Sequence, residues 1–189
     1  HKNMPEIYDT LQLEDGQIVL EECIKGTPVS QILECGTYTY RGACAVLKGV
    51  CAAVQMLHEK QIIHRDPNPG NIILTEQGWG FIDFDLSERN MRLFDPCYAA
   101  TAILSESFNK LDDAGLEDWL EIYRNLILGY DSVVKLTTEE KMALPYVILA
   151  NQFVCVAWFA EQDKYAEILE INKQMTQWLI RNFEALGNM

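Results

Sequence analysis

The chain is constrained most by ten consecutive residues, Ile62-Ile63-His64-Arg65-Asp66-Pro67-Asn68-Pro69-Gly70-Asn71, which join a stretch of helical periodicity to a pair of β-type runs. Upstream, over residues 40–59, the apolar Val46, Val50, Val54 and Leu57 recur at helical spacing, widened by Leu47 and Cys51, and predict a long packed helix ending near Leu57-His58. Downstream, residues 71–75 and 80–84 are β-type runs joined through Glu76-Gln77-Gly78, which predicts a hairpin with its polar residues at the turn. The return strand of that hairpin carries Phe81-Ile82-Asp83-Phe84-Asp85. Apolar residues therefore stand ahead of each polar group.

Residues 7–13 and 17–23 form an earlier pair of β-type runs. Asp15-Gly16 between them supplies the positive φ angles of a tight turn, so a first β-hairpin is expected. Everything after Asp95 reads helical: residues 116–128 are amphipathic, Thr137-Thr138-Glu139-Glu140 has the form of a capping box, and a last helix is expected over 165–186. Residues 142–159 carry no charge and are long enough to span a bilayer. Pro145, Asn151 and Gln152 interrupt them, and Glu161 and Asp163 follow without a basic flank, so a buried core helix is expected instead. The order is hairpin, helix, hairpin, then about four helices, an α+β chain without repeat or linker.

Composition excludes several classes of function. Hydrophobic residues at 49% and charged residues at 23% are globular averages, which sets aside disordered and fibrous chains. A net charge of −13 repels nucleic-acid phosphates and anionic membrane surfaces, so neither nucleic acid nor membrane is an expected partner. Cys23, Cys35, Cys44, Cys51, Cys97 and Cys155 show no C-x-x-C pair, which predicts reduced thiols and a reducing, cytoplasmic compartment. The opening His1-Lys2-Asn3-Met4-Pro5 has neither a basic n-region nor an apolar h-region, and no signal peptide is expected.

The pattern H-x-D-x-x-x-x-N at His64, Asp66 and Asn71, followed twelve residues later by Asp83, resembles the catalytic and metal-binding loops of the protein-kinase-like fold. The resemblance covers essentially the whole chain. It implies a mainly α-helical large lobe over residues 27–189 containing the catalytic-loop hairpin, and a partial small lobe over residues 1–26, reduced to a β-hairpin and hinge. ATP and Mg²⁺ are the implied cofactors. Asp66 would orient an acceptor hydroxyl and take its proton, while Asn71 and Asp83 would offer hard oxygen ligands to Mg²⁺ from two adjacent strands. Asp85, two residues on along the same strand face, is either a further ligand or a solvated, hydrogen-bonded carboxylate. His64 is a buried hydrogen-bonding support or, alternatively, a direct proton-transfer group. For Asp66, Asn71 and Asp83 the alternative is an Asx-rich turn without chemistry. Glu22-Cys23-Ile24-Lys25-Gly26 resembles the hinge that holds adenine, through the Glu22 carbonyl and the Ile24 amide, with Leu20 and Ile82 against its faces. An ordinary strand end is the alternative there.

Three departures bear on the branch of that fold. Asn68 stands two residues after Asp66, where protein kinases carry Lys, and Pro69-Gly70-Asn71 resembles the ending of this loop in aminoglycoside, choline and homoserine kinases. Asn68 would then reach the phosphates or the acceptor, or be a plain turn residue. Only eleven residues separate Asp83 from Asp95, too few for the activation loop, phosphosite and A-P-E motif of protein kinases. The tail from 117 to 183, with Tyr123, Gly129-Tyr130 and Leu144-Pro145-Tyr146, resembles the helical substrate-binding subdomain of small-molecule kinases. The G-x-G-x-x-G loop and the V-A-I-K-like strand of the fold have no counterpart, so the chain resembles one entered at the fourth strand of the small lobe. The expected function is an ATP-dependent phosphotransferase acting on a hydroxyl of a small molecule. The rivals are a Ser/Thr protein kinase, favoured by Ile62-Ile63-His64-Arg65-Asp66, and a non-catalytic kinase-like binding protein. The chain by itself is expected to be inactive and to self-associate through the open edge of its first hairpin.

Overall fold

The computed structural model describes residues 5–12, 17–34, 55, 57–76 and 78–188. Most of the helix expected over 40–59, the Glu14-Asp15-Gly16 turn, and Cys35, Cys44 and Cys51 lie outside the described residues. The first hairpin is present: β1 (Ile7–Gln12) and β2 (Gln17–Glu21) pair antiparallel, with Leu11 opposite Ile18 and Thr10 opposite Val19. The chain then passes through 22–26 into β3 (Thr27–Pro28) and the short helix α1 (Val29–Glu34). Gly26 is required at this entry, because a Cβ there would meet the Leu74 carbonyl oxygen at 2.5 Å.

Two residues of β4 (Ile62–Ile63) lead into the polar loop, which closes in a 3₁₀ turn at Pro69–Asn71 before β5 (Ile72–Thr75) and β6 (Gly78–Phe81). β3, β5 and β6 make a three-stranded antiparallel sheet in that order. The return strand ends at Phe81 rather than at residue 84, so Asp83 and Asp85 follow the sheet instead of lying in it. A short β7 (Glu88–Arg89) then pairs antiparallel with β4, a ladder the sequence did not signal.

The helices follow: α2 (Phe94–Ser107), α3 (Asp113–Val133), α4 (Thr138–Ala160), α5 (Ala166–Arg181) and α6 (Phe183–Gly187). Asp112 caps α3 by accepting from Gly115 N at 2.9 Å. The capping box forms as expected, with Glu140 N donating to Thr137 Oγ1 at 3.2 Å and Thr137 N donating to Glu140 Oε2 at 2.8 Å. The single last helix expected over 165–186 is divided at Asn182 into α5 and α6. Leu104, Tyr123, Leu144, Ile148, Met175, Leu179 and Leu186 fill the core between them.

By length and composition α4 would also cross a bilayer. It runs straight through Pro145 and buries Leu144, Val147, Ile148, Asn151 and Gln152 in the bundle. Its polar inner residues bond into the bundle: Gln152 Nε2 donates to Asn172 Oδ1 at 2.9 Å and Asn151 Nδ2 to the Phe94 carbonyl at 3.1 Å, while the buried Asn151 Oδ1 has no partner among the described residues. The expected core helix is realised on this face only, since Met142, Tyr146, Phe153, Val154 and Trp158 are exposed. Cys23, Cys97 and Cys155 are free thiols.

Candidate active site

The polar loop is braced from below by a residue whose role the sequence did not announce. Asp95, in the first turn of α2, is buried and its carboxylate accepts from His64 N at 2.8 Å, from Arg65 N at 2.9 Å and from the His58 ring at 2.8 Å. A carboxylate only accepts, so His58 Nε2 carries the proton and Nδ1 accepts from the Tyr130 hydroxyl at 2.6 Å. Arg65 is held in the left-handed region, φ 71°, a strained conformation at a non-glycine residue that this brace sustains. The only signal in the sequence was the placement of His58 and Asp95 at the helix ends flanking the loop.

Above the brace, both oxygens of Asp66 are engaged. Asn68 Nδ2 donates to Oδ1 at 2.9 Å, and Asn71 Nδ2 donates to Oδ2 at 3.0 Å and to the Asp66 carbonyl at 2.9 Å. The Tyr98 hydroxyl from α2 faces the same carboxylate, and burial, then the negative charge of Asp66, hold that phenol well above its ordinary pKa. His64 is fully buried beside Phe81 and Phe84, with ring centroids 4.9 and 4.6 Å away. Its Nε2 donates to the Ile82 carbonyl at 2.9 Å and its Nδ1 accepts from Asp66 N at 3.3 Å. Burial lowers its pKa against the opposing pull of these bonds and of Asp95 and Asp66, so it stands as a neutral support with both nitrogens occupied.

Asn71 and Asp83 meet, but not as residues of adjacent strands. Asn71 closes the 3₁₀ turn ahead of β5, its carbonyl accepts from Ile82 N at 3.0 Å, and Asp83 follows in the left-handed region at φ 65°. Asp85 shares no strand face with Asp83; it lies in the next turn, and its side chain hydrogen-bonds that of Asp83. This bond first, then partial burial and the charges of Asp85, Asp66 and Glu21, raise the Asp83 carboxyl to about 6. Two carboxyls held together beside further negative charge are hard oxygen donors of the kind a divalent cation takes. Asn71 Oδ1 makes no hydrogen bond among the described residues and is a third hard oxygen. Among the described residues no cluster of three or more His, Cys, Asp or Glu could hold a metal ion.

The expected hinge residues make no hydrogen bond to this cluster among the described residues. Glu22 is tied back to the strand before it, its N–H donating to the Glu6 carbonyl at 2.7 Å while its Oε2 accepts from Glu6 N at 3.3 Å. The Glu22 carbonyl and Ile24 amide make no hydrogen bond among the described residues. Leu20 is exposed and Ile82 half-buried, and the end of β2 reaches the site through the Glu21 charge felt at Asp83.

Comparison with known proteins places this geometry. Residues 1–102 match the model of the protein kinase domain family. Calcium-dependent protein kinase 7 of Arabidopsis thaliana is 30% identical over 120 residues, covering 57% of this chain and 22% of that protein. Ribosomal protein S6 kinase 2 beta of Xenopus laevis is 28% identical over 130 residues, covering 63% and 21%. The chain thus spans about a fifth of the length of these curated relatives. Among solved structures, a microcompartment-associated aminopropanol kinase superposes with a TM-score of 0.58 at 15% identity, over 99% of this chain and 78% of that one.

Proposed function

The chain belongs to the protein kinase domain family, and from that membership we propose that it is the large-lobe part of an ATP- and Mg²⁺-dependent phosphotransferase that phosphorylates a hydroxyl of a small molecule. The observation that carries the small-molecule reading is the path from Asp83 to Asp95. Ser87 N bonds the Phe84 carbonyl at 3.0 Å, β7 pairs with β4, Asn90 N bonds the Gln61 carbonyl at 3.0 Å, and α2 opens at Phe94. Residues 88–90 of that segment fold back on the strand that enters the catalytic loop, and Arg92 ties its end to Glu140, in the interval where protein kinases carry the activation segment that docks a peptide. Arg65 is paired with Glu88 of that same short segment at 3.4 Å. The aminopropanol kinase likeness over nearly the whole chain points the same way, whereas the named protein-kinase relatives favour the Ser/Thr reading.

In this mechanism the loop does the positioning. Asp66, fixed by two side-chain amides, accepts the hydroxyl proton as the acceptor oxygen attacks. Asn71, Asp83 and Asp85 would hold the metal through their side-chain oxygens. Bound Mg²⁺ and nucleotide supply the phosphoryl group and the neutralising charge. Glu22 and Ile24 would offer the main-chain groups that meet adenine. The deciding test is a radiolabelled-ATP screen of the full-length protein against amino alcohols, aminoglycosides and generic protein substrates. A labelled small molecule is the expected result; labelling of protein alone transfers the assignment to the Ser/Thr kinase reading.

A further inference from the structure

Asn68 sits between two prolines, and the geometry that this imposes defines its part. Pro69 restricts the residue before it to extended backbone, and Asn68 is extended at φ −76°, ψ 162°. Pro67 and Pro69 are themselves buried, so the main chain on either side of Asn68 is anchored. From this fixed base the side chain is engaged at both ends: Oδ1 accepts from Gly70 N at 2.7 Å and Nδ2 donates to Asp66 Oδ1 at 2.9 Å. Asn71 holds the other carboxylate oxygen from the opposite side, at 3.0 Å.

We propose that Asn68 is a positioning residue for Asp66, one jaw of an amide pincer with Asn71, rather than a ligand of the nucleotide phosphates; the proposal rests on the phosphotransferase reading above. The terminal torsion of an aspartate is broad and roughly two-fold. One N–H on each oxygen locks that torsion, and with the Tyr98 hydroxyl bonded to the same carboxylate one lone pair remains for the acceptor hydroxyl. Gly70 N fixes the far end of the Asn68 amide, so that Nδ2 rather than Oδ1 faces Asp66. An Asn68 reaching outward to a phosphate would have to break both bonds.

The experiment compares wild type, Asn68→Leu, Asn68→His and Asp66→Asn in the full-length protein, with kcat and KM for the acceptor found in the screen and with Mg²⁺·ATP affinity by calorimetry. Leu keeps the shape and removes the donor, so kcat should fall about 10- to 100-fold by misorientation of the base, while the nucleotide Kd stays within about twofold of wild type. His restores an N–H at a similar reach and should recover most of the rate. A wild-type rate in Asn68→Leu, or a nucleotide Kd weakened tenfold or more, overturns the proposal. Failure of the phosphotransferase reading looks different: wild type and Asp66→Asn would then be equally inert toward every acceptor. In that event the side-chain amide spectrum decides, because the Asn68 NH₂ signal must move on Asp66→Ala if the hydrogen bond exists, and an unmoved signal overturns the pincer without any turnover.

Discussion

The first hairpin and the helical bundle handle their apolar residues in opposite ways. In β1 and β2, Ile7, Tyr8, Leu11, Ile18, Val19 and Leu20 are 44–62% exposed, whereas Leu104, Tyr123, Leu144, Ile148 and Leu179 of the bundle are at 0%. A two-stranded hairpin is marginal in water unless something covers it. The bundle buries a core of its own, and it is the bundle that grips the catalytic loop, through Asp95 in α2 and Tyr130 in α3. The hairpin makes itself felt at the site through the charge of Glu21. Loop geometry therefore depends on the helices, and the hairpin is the dispensable part.

The sharpest way to break this contrast is at Asp95. Asp95→Ala would strand the His64 and Arg65 amides and the His58 ring in the interior, each missing partner costing about 1–3 kcal/mol. Loss of one member of such a buried charged network costs about 3–5 kcal/mol in all. Urea unfolding should show that loss, with turnover gone because Arg65 is no longer held in its strained conformation. A cost under about 1 kcal/mol would mean that the loop stands without its brace.

How far the sequence disclosed all this follows the separation of the partners. The capping box of α4 was legible because Thr137 and Glu140 are three residues apart. That the same Glu140 also receives Arg92 at 2.6 and 2.7 Å was not, because Arg92 lies 48 residues away. Asp66, Asn68 and Asn71 were found through local spacing, and they do meet. The brace of His58 and Asp95 spans 37 residues and left no periodic trace. The β-type run at 80–84 misplaced Asp83 because propensity does not report a positive φ, and it is this turn that brings Asp83 against Asp85.

A smaller effect distinguishes the metal cluster from the brace through pH. Asp83 binds its proton more tightly in the folded chain, with its carboxyl raised to about 6. That contribution stabilises fully below the unfolded carboxylate value of about 4 and is lost as pH rises through about 6. Asp83 is exposed, so solvent screening keeps the effect below about 1 kcal/mol. Asp85→Asn should remove most of the repulsion, raising the urea midpoint at pH 7.5 and leaving it nearly unchanged at pH 4. Added Mg²⁺ should raise the wild-type midpoint at pH 7.5 and do little for Asp83→Ala. Equal responses of the two proteins to Mg²⁺ would remove Asp83 from the metal site.

The smallest expected effect on stability lies in the hairpin. The pairing puts Leu11, Ile18 and Leu20 on one face with Asp9, and Thr10, Gln12 and Val19 on the other, an alternating pattern whose apolar face has no cover among the described residues. Leu11→Thr with Leu20→Thr should therefore shift the unfolding free energy of this chain by no more than about 0.5 kcal/mol, the range of surface substitutions. Leu179→Ala in the bundle should cost about 2–5 kcal/mol by contrast. Where two copies shield each other's hairpins, as we propose for this chain in isolation, the double Thr variant should also turn a dimer into a monomer in light scattering, and the two unfolding curves should coincide at chain concentrations too low for the dimer. A wild type that is monomeric, paired with a variant that loses more than about 1 kcal/mol, would show that the chain covers its own hairpin, and the division between a self-sufficient bundle and an uncovered hairpin would fail.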